Sequence, residues 1–225
     1  MFYMYAVVEG LLASWHPPPA LTSTASVERH PLGPLLVLAS ALDGVPAASP
    51  RTLGLHHDVV ASALDARAVL PFRYGTAVGD AERDAWLGVH RAGLETALAQ
   101  VRGCVEMSVK LLRLDSGAEA AGPGQTELRA LADQIVSRAR VEQWRYRPAG
   151  SGGNVVASVA FLLPRTELAE FLARIAPVAS RAVGVAVVPT GPWPAYSFVP
   201  AFDRPPLAVA PPPAPPSSPP RRATG

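Results

Sequence analysis

One cysteine and one lysine in 225 residues set the first limits on this chain. A single thiol, Cys104, excludes an internal disulfide framework and a cysteine-only zinc site. It also fits a reducing compartment. With Lys110 the sole lysine, arginine carries nearly all the positive charge, and no dense basic run occurs before Arg221-Arg222. The formal charge is only +2, so the electrostatic footprint of a nucleic-acid binder is missing. Long apolar runs are missing as well. The N-terminal stretch has no basic leader, and Glu9 and Pro17-Pro18-Pro19 interrupt it, which reads as neither signal peptide nor membrane span. No Ser-His-Asp set, Gly-x-Ser-x-Gly elbow, Walker loop or dinucleotide fingerprint occurs. The expectation is a soluble cytoplasmic protein without catalysis, cofactor, metal, membrane or nucleic-acid partner.

What is present is a chain able to bury a core: 49% of its residues are hydrophobic and 17% charged. Proline is abundant and unevenly placed. From Pro205 onward the chain has almost nothing to bury, which predicts a disordered tail of polyproline II character over 205–225. Before it, Val187-Val188-Pro189-Thr190-Gly191-Pro192-Trp193-Pro194-Ala195-Tyr196-Ser197-Phe198-Val199 interleaves prolines with three aromatics. Proline removes backbone donors and fixes φ, so this segment is neither a helix nor a central strand. An extended arm over 190–204 is expected, ordered by burial of its rings, either as a lock between domains or as a docking surface.

Periodicity supplies the elements. Residues 2–9 read as a strand and 34–41 as a strand buried on both faces. Leu55 to Ala66 has helical spacing, and Ala68 to Phe72 is a short strand. Asp80 is positioned to cap a long helix from Ala81 to Arg102, with Gly103 at its stop. These elements predict an α+β domain over 1–102. The second half reads strand (from Val105), helix (Leu128 to Ala139), half-exposed edge strand (Val141 to Arg147), strand (Asn154 to Leu163), helix (opened by Pro164) and strand (Val183 to Val188). That order, β-α-β-β-α-β, predicts a ferredoxin-like sandwich over 103–189. The fold class expected is therefore α+β, in two α+β domains.

Candidate sites are few. Leu70-Pro71-Phe72-Arg73-Tyr74-Gly75-Thr76 joins a strand to the long helix. Pro71 limits sheet pairing, Gly75 permits positive φ, and Arg73 between Phe72 and Tyr74 suits a cation–π or carboxylate contact. A structural corner or inter-domain clasp is expected there. His56-His57-Asp58 is the one close set of metal-ligand types, but adjacent residues share no helix face, so a solvated helix start is expected. Glu106 and Lys110 lie on one side of a strand, which predicts a salt bridge across the domain boundary. Cys104 is expected to be buried and inert.

Four stretches carry a family resemblance: Met1 to Val8, the Ala68 to Thr76 motif, Gly103-Cys104-Val105-Glu106-Met107-Ser108-Val109-Lys110, and the Thr190 to Val199 arm. In order and spacing they resemble the GvpL/GvpF family of gas vesicle proteins, over roughly residues 1 to 200. Met107 stands where the family pattern has an aromatic, and the stretch from Asp115 to Gln125 is short. The resemblance implies two α+β domains, the second a ferredoxin-like variant. It also implies an accessory protein that binds the hydrophobic gas vesicle shell protein, with other gas vesicle accessory proteins as further partners, in the cytoplasm. Interface candidates are Pro71, Phe72, Arg73, Tyr74, Gly75, Trp144, Tyr146, Gly191, Pro192, Trp193, Tyr196 and Phe198. Two other readings stay open: a structural part of the finished vesicle, and a small-ligand or oxygenase-like module with a pocket near Trp144, Tyr146 and His90.

Overall fold

The computed structural model describes residues 1–114, 124–148 and 154–200. The short connection after Asp115, the loop at 149–153 and the proline-rich tail therefore lie outside the described residues. The first half runs β1 (Phe2–Glu9), β2 (Glu28–Leu32), β3 (Leu35–Ala41), α1 (Pro50–Ser62), β4 (Ala68–Pro71), β5 (Ala77–Val78) and α2 (Arg83–Gln100). Its sheet is antiparallel with order β2-β3-β1-β4, and β5 also pairs with β1.

β1 is aromatic and aliphatic throughout because both its faces are covered. Phe2 and Met4 face α2, together with Val37, Leu70, Leu87, Leu94 and Leu98. Tyr3 and Tyr5 face α1, with Leu38, Val59, Val60 and Val69. A register shift between Met4 and Ala6 then flips the alternation, so that Ala6 and Val8 join the α1 side and Val7 the α2 side. A bulge adds one residue to one strand and exchanges the two faces beyond it.

The second half runs β6 (Cys104–Arg113), α3 (Gln125–Ala139), β7 (Gln143–Pro148), β8 (Val155–Pro164), a single 3-10 turn (Arg165–Glu167), α4 (Leu168–Ala179) and β9 (Val185–Trp193). The element order is β-α-β-β-α-β, as the periodicity predicts, and the antiparallel sheet has order β7-β8-β6-β9. Helices α3 and α4 cover one face, burying Met107, Val109, Leu111, Val159, Phe161 and Leu163 against Leu128, Ile135, Phe171 and Ile175. The molecule is thus a mixed α/β protein with two antiparallel sheets and their helices.

Three expectations need correcting, and one strand has no counterpart among them. Helix α1 begins at Pro50 rather than near Leu55, because Ser49 caps it: the Ser49 hydroxyl accepts from Thr52 N–H at 3.1 Å and the Thr52 hydroxyl accepts from Ser49 N–H at 2.9 Å. Helix α2 begins at Arg83, and Asp80 does not cap it; Asp80 accepts from the Met1 amino group at 3.1 Å. Glu28–Leu32, for which the periodicity supplies no element, forms β2 despite Pro31, because β2 lies at the sheet edge. The last strand does not stop at Val188 but continues as β9 to Trp193. Its two prolines and glycine are tolerated because β9 is also an edge, with a register shift opposite Glu106 and Ser108. The free arm therefore begins at Pro194.

Gly191 sits at that irregularity with φ +126°, and a Cβ there would lie 2.8 Å from Met107 Sδ and 2.9 Å from the Glu106 carbonyl oxygen. A backbone oxygen cannot yield as a side chain can. Gly191→Ala is therefore expected to cost about 1–3 kcal/mol, read as a lowered urea midpoint at unchanged slope.

Candidate functional site

The Leu70–Thr76 motif is a corner held from inside by α1 and β1. Phe72 is buried, and its backbone N–H donates to the Tyr5 carbonyl at 2.8 Å. His56 reaches the same corner: its Nε2 lies 2.9 Å from the Phe72 carbonyl oxygen and its Nδ1 lies 2.8 Å from the Tyr3 hydroxyl. A carbonyl only accepts, so Nε2 carries the proton and Tyr3 donates to Nδ1. Tyr3 in turn accepts from Gly75 N–H at 3.3 Å. The chain Gly75 to Tyr3 to His56 to Phe72 satisfies every polar group it buries. Gly75 is needed for its φ of +93°, since open space lies where a Cβ would stand.

Pro71 is buried at the end of β4, opposite Ala6. Tyr74 donates its hydroxyl to the Pro46 carbonyl at 2.8 Å and sits edge-on to Tyr3 and His56. Arg73 is exposed, and its carbonyl accepts from the Thr76 hydroxyl at 2.8 Å.

His56 corrects the expectation of a solvated helix start. It is 3% exposed in the middle of α1, and burial lowers its pKa to about 4, so it is neutral near pH 7. His57, one residue on and turned roughly 100° around the helix, faces the arm instead. Its ring lies 5.2 Å from that of Trp193 and 6.2 Å from that of Tyr196. Asp58 is exposed, and no group of three metal-ligating side chains occurs among the described residues.

The arm crosses from the second sheet to the first. Tyr196 packs into the Tyr3–Tyr5 side of the first sheet, while Ala195, Phe198 and Val199 join the α2 side together with Leu162 of β8. Beneath it, Glu106 is 7% exposed. It does not pair with Lys110 as expected. Its two carboxylate oxygens accept from Ser197 N–H at 2.8 Å and from the Ser197 hydroxyl at 2.7 Å. Burial pushes its carboxyl up, and the Ser197 donors and Arg147 pull the other way. Glu106 and Ser197 are 91 residues apart, so no local signal in the sequence joins the two. Trp193, 37% exposed, closes the rim.

Trp144 and Tyr146 of β7 are half-buried against the α3 side, with the Arg129 guanidinium 4.8 Å over the Tyr146 ring. His90 lies elsewhere, stacked on Trp86 at 4.1 Å, its Nδ1 donating to the Trp86 carbonyl at 2.8 Å. The pocket expected from Trp144, Tyr146 and His90 is therefore not formed: the residues belong to separate packing clusters. A groove of about 560 Å³ between α3 and α4 is lined by other residues, among them Asp133, Arg138, Val178 and Arg181. Cys104 is half-buried, and burial pushes its thiol up, which keeps it protonated. No helix among the described residues is long and apolar enough to cross a membrane.

The family described as gas vesicle synthesis protein GvpL/GvpF matches residues 1–145 and 115–200. No curated protein matches the chain in sequence. Among the solved structures that share its fold are two gas vesicle proteins. The gas vesicle protein GvpF from Anabaena sp. PCC7120 superposes with a TM-score of 0.72 at 16% identity, over 88% of this chain and 94% of that one. GvpF from Microcystis aeruginosa superposes with a TM-score of 0.69 at 16% identity, over 88% of this chain and 98% of that one. At such identity the superpositions speak for the fold alone, whereas the family match spans all the described residues. The chain belongs to the GvpL/GvpF family of gas vesicle synthesis proteins.

Proposed function

We propose that this chain is a non-catalytic accessory protein of gas vesicle assembly, acting in the cytoplasm by binding the hydrophobic shell protein. A subunit that polymerises through apolar faces and strand edges needs those surfaces covered reversibly until assembly. The observation that supports this reading is the edge strand β7. Among the described residues it pairs with β8 on one side only, over Gln143 to Pro148. Such an edge accepts a partner strand through main-chain hydrogen bonds and needs neither nucleotide nor metal. In the same proposal the two sheets with their helices act as two domains, 1–102 and 103–189. Gly191, Pro192 and Trp193 at the end of β9, with Tyr196 and Phe198 of the arm, fasten one to the other, and the Pro71–Gly75 corner receives them.

Co-expression with the major gas vesicle shell protein, pull-down and size exclusion test this function. A soluble complex is expected, in which amide hydrogen exchange slows at Gln143–Pro148 relative to the free chain. An insoluble shell protein with none co-purifying, or protection confined to the first sheet, would overturn it.

A further inference from the structure

The face of the second sheet turned away from α3 and α4 concentrates positive charge. Across the register, Val188 of β9 lies beside Lys110 of β6, Lys110 beside Ser158 of β8, and Ser158 beside Arg147 of β7. The neighbouring row is Thr190, Ser108, Ala160 and Arg145. Lys110, Arg145 and Arg147 are exposed. Strand spacing puts Lys110 roughly 10 Å from Arg147, and Arg145 stands roughly 7 Å from Arg147 along β7.

Several arginines elsewhere have carboxylate partners: Arg67 and Arg102 on Glu9, Arg83 on Asp84, Arg91 on Glu95 and Arg129 on Asp133. Lys110, Arg145 and Arg147 make no ion pair among the described residues. Glu106, the acid on this face, is held under the arm by Ser197. Arg145 places its guanidinium 5.4 Å over the Phe198 ring and donates to the Trp144 carbonyl at 3.0 Å. Arg147 is left at the sheet's open corner.

We propose, resting on the shell-binding function above, that β7 receives an extended acidic segment of the shell protein as a fifth strand. Its carboxylates, on alternate residues, lie beside Arg145 and Arg147 within the field of Lys110. The intervening residues fall on the α3 side, beside Trp144 and Tyr146, and are apolar. The recognised pattern is therefore acidic–apolar alternation over about five residues. A second copy of this chain is the poorer occupant, because antiparallel self-pairing of β7 sets arginine against arginine on one face.

The test uses the full chain and a labelled peptide of alternating glutamate and valine, with a lysine–valine peptide as its counterpart, read by fluorescence anisotropy. The glutamate peptide is expected to bind, and to weaken as salt rises from about 50 to about 500 mM. Arg147→Glu is expected to weaken it about tenfold. Arg147 is chosen because, unlike Arg145, its guanidinium is not stacked on an arm ring; its charge also acts on Glu106, which holds the arm, so Lys110→Glu is the second variant, and a melting curve of each verifies the fold. Equal binding of both peptides, or unchanged binding by both folded variants, overturns the proposal and leaves the edge charges as a barrier to sheet aggregation only. Salt-sensitive peptide binding without capture of the shell protein supports the acidic-strand edge and removes the shell reading. Shell-protein capture indifferent to salt and to Arg147→Glu keeps the shell reading and overturns this one.

Discussion

Replacing Tyr196 by alanine is expected to lower the melting midpoint by about 10 °C. The ring fills the Tyr3–Tyr5 side of the first sheet, beside Tyr74 and His57, and removing a packed aromatic costs about 3–4 kcal/mol. Tyr196→Phe should behave differently. The Tyr196 hydroxyl is buried without a hydrogen-bond partner among the described residues, and burial with Glu106 nearby pushes its phenol above the usual range. Deleting an unpaired buried hydroxyl is close to neutral or stabilising. Trp193→Ala, at the exposed rim, should cost only about 1–2 kcal/mol. The expected order of midpoints is Tyr196→Phe at or above the parent, then Trp193→Ala, then Tyr196→Ala, with the double variant lowest. If Tyr196→Ala melts with the parent, the arm does not tie the two sheets together, and its aromatics must serve another surface.

The second large effect is loss of stability in mild acid. His56 titrates near 6.5 when unfolded but only at about 4 when folded, because burial disfavours its charged form. Between those values the unfolded chain binds the proton and the folded chain does not, so stability is full above about 6.5 and falls as pH drops towards 4. The contribution lost is about 2 kcal/mol between pH 7 and 5, and about 3 kcal/mol in full. Glu106 works in the opposite sense: its raised carboxyl takes up a proton earlier in the folded chain, which favours folding as pH falls. The difference between parent and His56→Gln isolates the histidine. Urea midpoints of the parent should fall more steeply from pH 7 to 5 than those of His56→Gln; parallel slopes would show that the His56 proton plays no part.

The element order was largely legible, because it rests on local periodicity. The alternation of β6, the helical stripes of α2, α3 and α4, and the half-exposed pattern of β7 each follow from side chains a few residues apart. The misses have one character. Ser49 with Thr52 is a capping signal that the apolar spacing beginning at Leu55 overshadowed. The prolines of β9 read as strand breakers, and only its edge position makes them tolerable. The site was less legible than the fold. His56 and His57 look alike in the sequence, yet one is locked between Tyr3 and Phe72 and the other faces Trp193.

By itself, the sequence determined the alternation and stripes that make two antiparallel sheets with four covering helices, and the four motifs that resemble the GvpL/GvpF family. Both depend on residues near one another in the chain. Tertiary structure decided which polar groups meet: Glu106 with Ser197 rather than Lys110, and His56 with the corner at Phe72. It also decided that Lys110, Arg145 and Arg147 share one open face. Those pairings join segments tens of residues apart, and strand order and register, which no local pattern encodes, bring them together.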